Sequence, residues 1–133
     1  MEKQVVIPAK LPSWAKKMTL PISPAIKAGG FVFVSGLVGH LGRETEAPVK
    51  GIEAQTRETL ESIKDTLEAA GSSLDKVVKA TVFLRNAQDF PRMNEVYRTF
   101  FPKEPPARTA IITGLLSPEI LVEVECIAMV GEG

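Results

Sequence analysis

Between Gly51 and Ala70, Ile52, Leu60, Ile63 and Leu67 recur, with Thr56 among them, at steps of three and four. That spacing draws one stripe along a helix, while Glu53, Arg57, Glu61, Lys64 and Glu68 fall on its other faces. Gly71 is a natural stop. A shorter helix is predicted after Asp89, a candidate N-cap, with Met93, Val96, Tyr97 and Phe100 facing one way before Pro102 ends it. Elsewhere the pattern is that of strands. Residues 3–7 form a short β-prone run closed by Pro8. Phe31-Val32-Phe33-Val34-Ser35-Gly36 lacks alternation and is predicted to be buried on both faces. Lys76 to Leu84 reads as a strand after a turn at Ser72-Ser73, and strands at about 107–113 and 120–130 finish the chain. Pro8, Pro12, Pro21 and Pro24 exclude regular helix from the segment they punctuate, and Gly29-Gly30 signals a turn. His40 to Lys50 is polar and turn-like.

The predicted order is β-β-α-β-α-β-β, an α+β arrangement with two helices packed on one face of a mixed sheet. The 133 residues are enough for one domain, spanning 1–133, and too few for two cores. Two helices cover one face only. In the last strand Val122, Val124, Cys126 and Ala128 line one side, and Leu121, Glu123, Glu125, Ile127 and Met129 the other. Neither side has the polarity of a fully solvated surface, so a partner subunit is the expected cover.

Charge and composition then narrow the function. Sixteen basic and sixteen acidic residues balance, leaving no broad field to draw nucleic acid or an anionic membrane. The single cysteine, Cys126, excludes an internal disulfide and fits a reducing compartment. With neither a signal-peptide pattern nor an apolar run long enough to span a bilayer, a soluble cytoplasmic protein is expected. One histidine and one cysteine cannot make a metal site unaided, and no cofactor is expected.

The candidate chemistry lies near the C-terminus. Arg108 stands between Pro105-Pro106 and a β-branched apolar strand, so its guanidinium enters the fold at a set angle. That planar fork matches a carboxylate bidentately. Glu123 lies fifteen residues on, in Leu121-Val122-Glu123-Val124-Glu125-Cys126. An arginine and a strand glutamate together suggest a pocket for a small acid. His40 is a lone candidate acid–base residue, Cys126 reads as core, Glu125 as a structural or channel-lining acid, and Tyr97 as core. Trp14 with Lys16 and Lys17 is a cleft cover or plain surface.

Ser35-Gly36 after an apolar strand, Asp89-Phe90 with Asn94 and Tyr97, Pro106-Ala107-Arg108-Thr109, and Val122-Glu123-Val124-Glu125-Cys126-Ile127-Ala128 occur in an order that resembles the RidA/YjgF family over about residues 19–130. The resemblance implies a chorismate-mutase-like fold and a homotrimer with sites in the clefts between subunits. It also implies hydrolysis of reactive 2-enamine or 2-imine acids to 2-keto acids and ammonia. Arg108 would then hold the substrate carboxylate, Glu123 would orient the attacking water, and Ser35 and Asn94 would line the cleft. The chain departs from deaminating relatives at Ile22, where they carry tyrosine, at Leu37, where they carry glutamine, and at Ala110, where they carry cysteine. These changes imply a more apolar pocket, for a bulkier imino acid or an aminomuconate-type intermediate. They also leave room for a non-catalytic carboxylate-binding or regulatory trimer. Ribonuclease or translation inhibition, assigned to some relatives, is disfavoured by the balanced charge.

Overall fold

The computed structural model describes residues 2–10 and 20–131. The predicted stripe becomes helix α1 (Ile52–Ala69), and Ile52, Thr56, Leu60, Ile63 and Leu67 are all buried. It closes at Gly71, where Ser72 N donates to Leu67 O at 2.8 Å. Helix α2 (Phe90–Phe100) buries Met93, Val96 and Tyr97. Asp89 does precede it, but its side chain makes no cap bond and accepts from Arg92 Nη2 at 2.8 Å instead.

Six strands form one sheet: β1 (Gln4–Val6), β2 (Ala25–Ala28), β3 (Phe31–Val38), β4 (Val77–Leu84), β5 (Ala107–Ile112) and β6 (Val122–Met129), in the order β1-β2-β3-β6-β4-β5. Sequence reasoning found five of these and missed β2, which lies between prolines and a glycine pair. Gly29 and Gly30 both have positive φ, 60° and 85°, as a two-residue turn matched to strand twist requires, and they join β2 to β3 in register Ala28↔Phe31. The segment from Lys76 is not yet strand, since residues 74–76 make a 3₁₀ turn. Only β4 and β5 pair in parallel, consistent with their connection through α2; every other pairing is antiparallel.

Val32, Val34, Ala80, Val82, Leu84, Val122, Val124, Cys126 and Ala128 face the helices and make the core with Leu60, Ile63, Leu67 and Met93. Among the described residues no layer covers the other face of the sheet. Phe31, Phe33 and Met129 stand 40%, 44% and 46% exposed, with Met129 paired to Phe31 and Ile127 to Phe33. Strand β3 is therefore buried on its helix face only within one chain, a correction to the predicted burial on both. Its missing alternation reflects a second apolar face rather than a second layer of the same chain. The Trp14–Met18 stretch lies outside the described residues.

Candidate functional site

Strand β5 is a sheet edge, and Arg108 pairs in register with Ala80 on β4, so its side chain points to the helix face. There α2 receives it. The guanidinium carbon lies 4.7 Å from the Tyr97 ring centroid and 5.5 Å from that of Phe90. Arg108 Nη1 donates to Asn94 Oδ1 at 2.8 Å. Two ring faces and an amide thus fix the plane of the fork, each ring contributing about 0.5–2 kcal/mol. Among the described residues no carboxylate pairs with Arg108. A guanidinium fork of this kind has the geometry to bind a carboxylate bidentately. Burial raises the Tyr97 hydroxyl above its usual range, with Arg108 pulling the other way.

Glu123 occupies the opposite face. Its neighbours Val122 and Val124 are in the core, and it pairs with Val38 on β3 and Phe83 on β4. Between Val34 and Leu37 the β3 ladder is irregular, and this bulge places Gly36 under the Glu123 carboxylate. A β-carbon on Gly36 would lie 2.1 Å from Glu123 Oε2. Glycine is therefore the residue that leaves the carboxylate room. The bulge is tied down by Ser35, whose N donates to Pro24 O at 3.0 Å and whose Oγ donates to Ser23 O at 2.6 Å. The Ser35 hydroxyl is thus engaged by backbone. Burial, and then the Glu125 carboxylate, hold the Glu123 pKa above the ordinary carboxylate value. Beside Glu123 opens a cleft of about 460 Å³ lined by Phe83, Thr113, Gly114, Leu115 and Leu116.

The candidate residues therefore form two half-sites. Arg108 and Asn94 meet on the helix face, where Ala110, in register with Val82, shares the strand face of Arg108. Glu123 lies against the Ser35-Gly36 bulge on the other face. One chain does not bring Arg108 and Glu123 together, because a sheet separates them. Leu37 pairs with Val124 and packs against the core, and Ile22 is exposed. Burial and then Glu125 push the buried Cys126 thiol up to about 12, keeping it protonated as a core group. His40, whose pKa burial lowers against the pull of Glu119, belongs to the β3–α1 connection, its carbonyl accepting from Val49 N. Among the described residues no group of three His, Cys, Asp or Glu side chains could hold a metal ion. No helix among them is long and apolar enough to cross a membrane. Sequence reasoning missed Gly36, whose role depends on a cross-strand contact, and the stacking of Tyr97 and Phe90 on Arg108; helical spacing marked Tyr97 only as core.

A family model described as Endoribonuclease L-PSP matches residues 15–130. The chain belongs to this family, the RidA/YjgF proteins. It is 44% identical to a RutC family protein of Pyrococcus abyssi over 129 residues, 96% of this chain and 98% of that one. It is 38% identical to the 3-aminoacrylate deaminase RutC of Acinetobacter baylyi over 130 residues, 98% of this chain and all of the relative. Among solved structures, E. coli TdcF with bound serine superposes with a TM-score of 0.84 at 27% identity, covering 96% of this chain and 99% of that one.

Proposed function

We propose that this RidA/YjgF protein is a hydrolytic deaminase of 2-imino or 2-enamino acids, working as a homotrimer whose sites join Arg108 of one chain to Glu123 of the next. The observation that carries this reading is the pair of unanswered charges. Arg108 is oriented by Asn94 and two rings and has no acidic partner among the described residues. Glu123 is half-buried on the uncovered face, and no cation pairs with it among the described residues. The apolar face bearing Phe31, Phe33 and Met129 is suited to a second copy. A deaminase among the relatives, and another relative holding an amino acid, support the same chemistry.

In this mechanism the substrate carboxylate forks onto Arg108. Glu123 accepts a proton from water as the water oxygen bonds to the imine carbon, and the C=N electron pair moves to nitrogen, which is protonated. The carbinolamine then collapses: Glu123 takes the hydroxyl proton and delivers it to nitrogen, the C–O bond becomes C=O as the C–N bond breaks, ammonia leaves and the keto acid remains. A carboxylate raised towards the working pH suits such proton traffic. Positioning water and acceptor together supplies much of the rate.

The test mixes two inactive variants, Arg108→Ala and Glu123→Gln, by unfolding and refolding them together. Keto-acid release from 2-iminopropionate is followed against semicarbazide trapping. If each site draws its two halves from different chains, an equal mixture regains roughly a quarter of wild-type sites, the chance that both donors are intact. No recovery in mixtures that do reassemble would overturn the composite site. A second reading, a non-catalytic carboxylate binder, is favoured by the apolar Ile22 and Ala110. It would stand if keto acids bind and no imine is turned over faster than in buffer.

A further inference from the structure

The chain from Thr113 to Leu121 crosses the mouth of the Glu123 cleft without regular structure, yet two side chains from elsewhere hold it. Arg85, just beyond β4, donates from Nε to Ile120 O at 2.8 Å and from Nη2 to Ser117 O at 2.7 Å, with a longer contact to Leu115 O at 3.4 Å. Gln55, buried on α1, donates from Nε2 to Glu119 O and to Val49 O, both at 2.9 Å, and accepts from Leu121 N at 2.9 Å. The loop is also closed at both ends, by Thr113 N to Leu84 O at 2.8 Å and Arg85 N to Leu121 O at 3.0 Å. A guanidinium fork and a buried amide spent on loop carbonyls amount to a clamp. What the clamp presents is apolar: Leu115 and Leu116 line the cleft with Phe83, around the Glu123 carboxylate. Leu116 is 99% exposed, so it is packed on none of the described residues and contributes nothing to the core.

We propose that the Thr113–Leu121 loop, clamped by Arg85 and Gln55, is the specificity wall of the site, and that Leu115 and Leu116 with Phe83 select imino acids bearing aliphatic side chains larger than methyl. The proposal rests on the deaminase reading above. With the reacting carbon beside Glu123, the substrate side chain falls among these three apolar groups. Each methylene taken out of water there raises kcat/KM about fourfold. The preference of a leucine-derived over an alanine-derived imino acid is then on the order of fiftyfold. Arg85 and Gln55 are positioning residues, acting through the wall rather than on the substrate.

An amino acid oxidase generates both imino acids in place, and kcat/KM is measured for each with wild-type protein, Leu116→Ser, Arg85→Met and Arg85→Lys, with mass checked by light scattering. The wild type is expected to favour the leucine-derived substrate. Leu116→Ser should lower the ratio of the two by about tenfold, leaving stability alone because the side chain supports no core. Arg85→Met should lower the same ratio, with Arg85→Lys recovering part of it. Equal effects on both substrates, or a Leu116→Ser variant that loses assembly, would overturn the wall and leave the deaminase standing. Hydrolysis of neither imino acid by wild-type protein would instead remove the reading on which the wall depends.

Discussion

Gly36→Ala should separate catalysis from folding. The new β-carbon would lie 2.1 Å from Glu123 Oε2, 3.1 Å from its carboxyl carbon and 3.3 Å from Cγ. Ordinary contact begins near 3.4 Å, so the oxygen must retreat by about 1.3 Å. What must move is the end of a flexible side chain, not backbone, and a strained rotamer costs about 0.5–1.5 kcal/mol. Gly36 is not among the residues with positive φ, so alanine fits its backbone and recovers about 0.4–1 kcal/mol through the unfolded chain. Net stability should change by less than about 1 kcal/mol, whereas a misplacement of about 1 Å at a reacting group costs on the order of a hundredfold in rate. Urea melts beside kcat for imine hydrolysis make the comparison. A variant with wild-type kcat would show that the position of Glu123 does not matter and would refute the reasoning. Loss of activity only in step with unfolding would refute it equally.

Three further outcomes are expected. Glu125→Gln removes the smaller of the two causes that raise the Glu123 pKa, so the carboxylate stays ionised to lower pH and the acid limb of the kcat/KM profile should move down; an unmoved limb would exclude Glu123 as the titrating base. Phe33→Asp puts a charge into the uncovered apolar face beside Ile127, which costs several kcal/mol if a partner buries it, so light scattering should show the single-chain mass; an unchanged mass would place the interface elsewhere. Leu67→Ala empties a fully buried core position on α1 and should cost about 2–5 kcal/mol in denaturant melts, where a loss below about 1 kcal/mol would mean that the site collapses without a cavity.

The helices were legible because each repeats a signal over several turns: all five stripe positions of α1 are buried. In β6 the alternation alone sets Val122, Val124, Cys126 and Ala128 on one side, and the structure makes that side the core. Strand β2 escaped because Ala25-Ile26-Lys27-Ala28 is short and hemmed by prolines and glycines, so its pairing with β3 is what makes it a strand. Arg108, Asn94 and Glu123 could be chosen by residue type and resemblance, but not the faces they occupy. The direction of Arg108 depends on β5 running parallel to β4 with α2 above both, a tertiary fact. The clamp from Arg85 and Gln55 had no signal either, since a glutamine in a helix and an arginine after a strand are ordinary surface residues until a loop passes them.

The two faces also constrain the form of the proposed assembly. A two-fold pairing across the open face would set that face against itself. Glu123 and Glu125 would then approach their own copies, and like charges in a drying interface oppose association. Burial and Glu125 already raise the Glu123 pKa in one chain, so further acids would raise it again. A head-to-tail arrangement instead brings the β5–α2 edge of one copy, with its unpaired Arg108, to the open face of the next. Such a contact uses two different surfaces and must close into a ring or grow without end. A closed ring would cover Phe31, Phe33 and Met129 in every copy and give each guanidinium an acidic neighbour. The groove left between Arg108 and Glu123 is then the place for a small molecule that carries both a carboxylate and an electrophilic carbon.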